Sequence, residues 1–337
     1  MTREVTNPAV YRSPHGILVS LASMKLSRDS NLAFAVLCLV VVVNAAALWP
    51  ELSISRFDLN DNVFHFGLVE RIVQAIEHGR SPLDLWSPEW SLGYPVLRTY
   101  QPLAHWLVAA VYFALGKAVP LMSVFLWVRF LSVALLPLSF YAAARRLNLS
   151  PLAAGAAAVL APMISTNFLY GVEYNSFTWA GSGLFPQAVA THLLLLALGS
   201  AWAAVRQGRR VTLAGVVVGL TALAHIIYGY VAALSICLMA VLPDSAIPRA
   251  VRVRRTLWIG GTAALLTCFQ LLPLLLDRNV INHSRWEPVW KWDSFGALTV
   301  LGWLRGLSEP EHHAAQRQKG QNGQTAVIHQ IALDQPA

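Results

Sequence analysis

Charge is what this chain has least of. Asp, Glu, Lys and Arg make up 12% of its 337 residues, while 56% are hydrophobic, and a soluble domain carries about twice that share of charge. At a mean hydropathy of +0.51 this much apolar surface cannot be hidden in one water-soluble core, so the solvent for most of the chain is a bilayer. Cysteine is scarce as well. Cys38, Cys237 and Cys268 sit inside apolar runs without paired spacing, which excludes a disulfide framework or a thiolate zinc site and leaves them as small core residues. Lys and Arg outnumber Asp and Glu by 25 to 17, for a net charge of +8. The cations fall in short clusters between apolar runs, not in a stripe interleaved with aromatics, so no nucleic-acid partner is expected. Such clusters mark loops on the cytoplasmic side of a membrane. No internal repeat is apparent, against a transporter built from two related halves.

Apolar runs lie at 32–48, 102–116, 120–142, 152–169, 184–205, 211–242 and 257–276. The first follows 31 polar or mixed residues, long for the leading segment of a signal peptide. Despite the small residues Ala45-Ala46-Ala47, it reads as an uncleaved helix. The sixth, at 32 residues, exceeds the roughly 20 that one span needs and carries His225 and Gly229 near its middle. It reads as two helices meeting at a bend. Eight crossings would leave nine arginines on the outer side, in the clusters Arg145/Arg146, Arg206/Arg209/Arg210 and Arg249/Arg252/Arg254/Arg255. Arg3, Arg12, Lys25 and Arg28 place the N-terminus in the cytoplasm by the same positive-inside rule. Reading the 15 residues 102–116, bounded by Pro102 and Gly116 and interrupted by His105 and Trp106, as an interfacial helix returns all three clusters to the cytoplasm. The expected fold is therefore an all-α polytopic membrane protein with seven crossings, at 32–48, 120–142, 152–169, 184–205, 211–225, 226–242 and 257–276. Residues 1–31 form a cytoplasmic segment, 32–305 the membrane module with 49–119 as its long first outer loop, and 306–337 a polar tail of disordered composition.

That topology gathers the ionisable groups that are costly in lipid on one face. Phe57-Asp58-Leu59-Asn60-Asp61-Asn62-Val63-Phe64-His65 stands near the start of the outer loop. It runs into an amphipathic pattern with Leu68, Val69, Ile72, Val73 and Ile76 at spacings of three and four. Asp58 or Asp61 suits an N-cap, which needs no catalytic role. Two acids, an amide and a histidine within eight residues also suit a site. Farther on, Gly93-Tyr94-Pro95 marks a rigid turn, with Arg98 offering a phosphate-binding group and Tyr100 a stacking one, and the pattern fits equally a loop that only leads the chain into the interfacial helix. Glu173, in the second outer loop, is either a second site acid or a solvated charge. Trp86, Trp90 and Trp179 fit an aromatic belt better than sugar stacking. His225 is either a helix–helix hydrogen-bonding group or a site residue near the outer surface. Asp58, Asp61, His65 and His225 supply donors for a divalent metal, but their spacing matches no metal motif, and cofactor use stays open.

An acidic motif after the first helix, an outer loop with Gly93-Tyr94-Pro95 followed by Tyr100-Gln101-Pro102-Leu103, and Leu223-Ala224-His225-Ile226-Ile227-Tyr228-Gly229 at a bend together resemble the GT-C glycosyltransferases. The nearest likeness is to bacterial membrane proteins labelled "6-pyruvoyl-tetrahydropterin synthase-related", a label that carries no argument for pterin chemistry. The resemblance covers about residues 30–305. It implies a seven-helix module, interfacial helices in the first outer loop and a catalytic acid there, matched by Asp58 or Asp61. It also implies supporting roles for Glu173, where some members carry a second acidic motif, and for His225 at the bend; His65 is a supporting candidate from its place in the acidic cluster alone. The chain departs from the family after Gly306, where larger relatives continue with further helices or a soluble domain.

The activity so implied is transfer of a sugar from a polyprenyl-phosphate donor at the outer face of a bacterial plasma membrane, where nucleotide sugars are absent. Asp58 or Asp61 would act as base, and Arg98, Arg278 or Arg285 would hold the phosphate. The rival expectation is a non-catalytic membrane protein, either a transport component or a transferase fold kept as a scaffold for lipid-linked glycans.

Overall fold

A computed structural model describes residues 28–53, 61–88, 93–163, 185–242, 244 and 246–276, apart from the side chains of Tyr94 and Met163. The chain divides into residues 1–276 and 277–337, and the described residues all belong to the first unit. They are almost wholly helical, as expected. In chain order the helices are α1 (Arg28–Leu48), α2 (Asp61–Glu77), α3 (Val96–Thr99), α4 (Leu103–Ala114), α5 (Leu121–Ala134) and α6 (Leu136–Arg146). There follow α7 (Pro151–Leu160), α8 (Phe185–Gln207), α9 (Val211–Ala224), α10 (Ile226–Val241) and α11 (Arg249–Leu276). Short 3-10 turns extend α1 over Trp49–Ser53 and α7 over Ala161–Met163.

The seven crossings are not realised. Among the described residues three helices are long and apolar enough to cross a membrane, α1 with its 3-10 turn, α8 and α11, and the α5–α6 pair makes a fourth if counted as one bent span. The reason is length. At 1.5 Å per residue, the 14 residues of α9 and 16 of α10 reach about 21 and 24 Å, short of a hydrocarbon core of about 30 Å. Helix α7 has ten residues, and the rest of the 152–169 run lies partly outside the described residues. Helix α4, with twelve residues, is short as expected. The uncovered faces of α1 and α11 carry Leu39, Val42, Leu257, Leu265 and Leu276, the kind of surface that suits lipid. Cys38, Cys237 and Cys268 are exposed on α1, α10 and α11, not in the core.

The bend between α5 and α6, 43°, has a local chemical cause. Pro137 has no N–H to give the Val133 carbonyl, and the Leu138 N–H turns to Leu135, releasing the carbonyl of Ala134. Two side chains from other helices take up the orphaned acceptors. Asn44 Nδ2 on α1 donates to Val133 at 3.0 Å and Ala134 at 3.1 Å. His192 Nε2 on α8 donates to the carbonyl of Ser132 at 2.8 Å, so its Nδ1 accepts from the Ser139 hydroxyl at 2.6 Å. Away from water such partners are required, since an unsatisfied carbonyl in hydrocarbon costs several kcal/mol.

Helices α8, α9, α10 and α11 pack through small residues, with Ala197, Ala201, Ala204, Ala214 and Ala232 fully buried. Gly215 and Gly219 form a Gly-x-x-x-Gly pair that lets α9 approach α11. A Cβ on Gly215 would stand 2.5 Å from Thr262 Cβ and 2.8 Å from the Ile259 carbonyl, and one on Gly219 2.9 Å from Leu266 Cδ2. Gly215→Val is therefore expected to destabilise the protein by about 1–3 kcal/mol. Gly260→Ala, where nothing lies within 4 Å, is expected to leave thermal unfolding in detergent unchanged or raise it. Equal melting of the two variants would contradict the close approach.

Candidate functional site

Helix α2 buries Leu68, Val69, Ile72, Val73 and Ala75, while Ile76, expected on this face, is 40% exposed. Its apolar stripe lies against Ala104, Val108 and Ala109 of α4, and the same core takes in Phe125, Phe185 and Ala224. His65 is on that stripe, one turn before Val69, and His105 is one turn before Ala109 on α4. The two helices therefore bring the imidazoles together, His65 Nδ1 to His105 Nε2 at 3.1 Å. Both rings are buried, at 1% and 0% exposure. Tyr100 stands 6.0 Å from each ring, centroid to centroid, and Phe185 about as far, so the pair sits in an aromatic shell.

Burial, and then the electrostatic influence of the His65 imidazole, hold His105 well below the usual imidazole range. The carbonyls of Gln101 and Pro102 oppose that shift, though neither makes a well-formed hydrogen bond with His105 Nδ1. His105 is neutral at pH 7 and stays neutral when folded as pH falls through 6.5, where an unfolded histidine takes a proton. Stability is therefore full above about pH 6.5 and decreases below it, by up to about 1.4 kcal/mol per pH unit. Unfolding of the wild type against His105→Gln across pH 5–8 checks this. A slope that persists unchanged in the variant would assign it elsewhere.

Asp61 is the first described residue of α2, in the first turn as described, and is exposed. There its carboxylate faces the positive end of the helix. Its charge is also felt at Tyr100, whose phenol is pushed above its ordinary range mainly by burial and secondarily by Asp61. Arg98 is exposed on the single turn α3, two residues before Tyr100. Gly93 sets up this segment: its φ is +106°, and a Cβ there would lie 2.3 Å from the Trp86 ring. Trp86–Ser87 (β1) and Tyr94–Pro95 (β2) pair antiparallel across it. Gly93-Tyr94-Pro95 thus leads into a short antiparallel pair of two-residue strands, with Gly93 packed against the Trp86 indole. Gln270 Nε2 on α11 then donates to the Tyr100 carbonyl at 2.9 Å.

His225 is the extended residue between α9 and α10, with φ −159° and ψ 116°. Its ring lies tilted against that of Tyr228, centroids 5.1 Å apart, and the Tyr228 hydroxyl accepts from Gln187 Nε2 at 2.9 Å. Ala224 and Tyr228 join the same apolar cluster as Val69 and Phe185. Gly215 meets Ile259 and Thr262, and Gly219 meets Ala263 and Leu266; carried forward, this parallel register sets His225 at the level of Gln270 and so of Tyr100. His225, Tyr100, His65 and Asp61 therefore share one end of the bundle. The arginines of α8 and α11 lie at the other, where Arg255 Nη1 donates to the carbonyls closing α8, Val205 at 2.9 Å and Arg206 at 3.2 Å.

Asp58, Glu173, Arg278 and Arg285 lie outside the described residues. Among the described residues no three His, Cys, Asp or Glu side chains converge as a metal site would need. Two features went unread in the sequence. His105 served there only to shorten a helix, although a histidine four residues before Ala109 on an apolar face was a signal. Arg129, inside the 120–142 run, is buried in α5 and ion-paired with Glu51 from the turn after α1. An arginine inside an apolar run was the sign of it. No protein-family model, curated protein or solved structure matches the chain.

Proposed function

We propose that the chain is a membrane glycosyltransferase of the GT-C kind, moving a sugar from a polyprenyl-phosphate donor to an acceptor in cell-envelope glycan or glycolipid assembly. The observation that supports this reading is the exposed carboxylate of Asp61 in the first described turn of α2, close enough for its charge to act on Tyr100, which follows Arg98 by two residues. Asp58 or Asp61 takes the proton from an acceptor hydroxyl, and that oxygen attacks the anomeric carbon. The bond from that carbon to the phosphate oxygen breaks on the opposite face with inversion. Arg98 stabilises the departing phosphate, a role suited to a guanidinium fork. His65 is too deeply buried to touch substrate, so its part is to seat α2 on α4. The orientation proposed has the N-terminus in the cytoplasm and this end of the bundle facing out from a bacterial plasma membrane. The reading rests on an acid-bearing loop helix over a membrane bundle, and the described residues depart from the seven-helix module that the resemblance implies.

The test is sugar transfer by the full chain in liposomes from a panel of polyprenyl-phosphate sugars. Product with inverted anomeric configuration is expected, and retention of configuration would overturn the single displacement. Donor binding without turnover across the panel would favour the scaffold reading.

A further inference from the structure

At the end of the bundle opposite Tyr100, α8 stops at Gln207 and the chain turns through Gly208, Arg209 and Arg210 into α9. Arg210 adopts a left-handed conformation at φ 52°. Helix α11 begins alongside. Its Arg255 guanidinium lies over Gly208 and donates to the Val205 and Arg206 carbonyls, and Trp258 Nε1 donates to Thr212 Oγ1 at 3.0 Å. Arg252, buried one turn earlier, donates to the Leu242 carbonyl at the end of α10. Two arginines are thus used as struts, and they draw the exposed cations Arg209, Arg210, Arg249 and Arg254 toward one another. Like charges so gathered repel unless something answers them. From Leu121 to Leu276 the described residues contain one acid, Asp244, and it is already ion-paired with Arg206 at 3.3 Å. Arg206 is further held over the Trp202 ring at 3.9 Å.

We infer that this platform binds the phosphate headgroups of anionic phospholipid. The ligand is named by three properties of the site. Its charge is positive and uncompensated within the described chain, as an anionic headgroup layer requires. Its donors are guanidinium forks, matched to phosphate oxygens. It is bordered by Trp258, 62% exposed with its indole N–H turned to Thr212, in the manner of residues at the headgroup level. A bare topology signal would need only the charges; here the fold also holds them together. The inference stands apart from the transferase reading, which concerns the other end.

Native mass spectrometry of the full chain in neutral detergent, titrated with phosphatidylglycerol or phosphatidylcholine, tests it. Retention of phosphatidylglycerol but not phosphatidylcholine is expected, and it should weaken on the order of 100-fold in Arg209→Gln/Arg210→Gln/Arg254→Gln, at about fivefold per cation. The corresponding triple lysine variant, which keeps the charge but loses the forks, should bind between the wild type and the glutamine variant. None of the three side chains has a described partner, so the melting temperature without lipid should not move; if the triple variant does not fold, Arg254→Gln alone should show the single fivefold loss. Equal retention of the two lipids, or undiminished binding in the glutamine variants, would overturn the inference. Displacement by millimolar inorganic phosphate as effective as that by lipid would also overturn it, reducing the site to one for free phosphate.

Discussion

Glu51→Leu is expected to lower the stability of this protein by about 3–5 kcal/mol, a large fraction of what holds a domain together. Glu51 is 5% exposed and Arg129 2%, and they are ion-paired across the junction of α1 and α5. Removing the carboxylate takes from a buried guanidinium the counter-charge that Glu51 supplies, and Arg129→Met takes from the buried carboxylate its cation. The double replacement removes both desolvation penalties, so its stability should return close to wild type. Equilibrium unfolding of the four proteins in mixed detergent closes the cycle. If each single change costs less than about 1 kcal/mol, water reaches the pair and the burial argument is wrong. The pair also fixes how the turn Trp49–Ser53 leaves α1, the first step of the loop that leads to α2.

The second large effect concerns the proposed chemistry. Replacing the general base by its amide removes proton acceptance while keeping size and most hydrogen bonding, and such losses run on the order of 100- to 10,000-fold in rate. Asp61→Asn or Asp58→Asn should lower transfer from the polyprenyl-phosphate donor by that factor with donor binding retained. The variant with the deeper loss identifies the base. Arg98→Gln should instead weaken both donor binding and rate, because the phosphate is held in the ground state and gains charge as it leaves. Wild-type rates in both asparagine variants would end the assignment. Full thermal stability in Asp61→Asn is expected alongside, since its carboxylate is exposed and contributes to α2 only through the helix dipole.

Much of this architecture was legible in local pattern. The spacing of Leu68, Val69, Ile72 and Val73 predicts α2 and its buried face, and the structure departs from it only at the exposed Ile76. His225 and Gly229 predict the break between α9 and α10, and the break falls at His225. One reading failed because it treated hydropathy as length: the 211–242 run is apolar throughout, but the two helices into which His225 divides it, each expected to cross, are too short to span. The 120–142 run remains a candidate crossing as one bent span, and the carbonyls freed at its bend are satisfied from α1 and α8.

By itself the sequence determined the solvent, the helical class, the grouping of cations and the amphipathic face of α2. Each of these is a sum or a period over neighbouring residues, and such quantities survive any packing of the helices. Only the tertiary structure decided which polar side chains meet. His65 finds His105 forty positions away, Asn44 reaches Val133 across 89, and Gln270 holds Tyr100 across 170. Those pairings depend on which helices are neighbours and in what register, and the register follows from close approaches such as that of Gly215 to Thr262. In an apolar medium nearly every helix face is greasy, so hydropathy says little about which face meets which, and packing of small residues and satisfaction of stray polar groups make the choice.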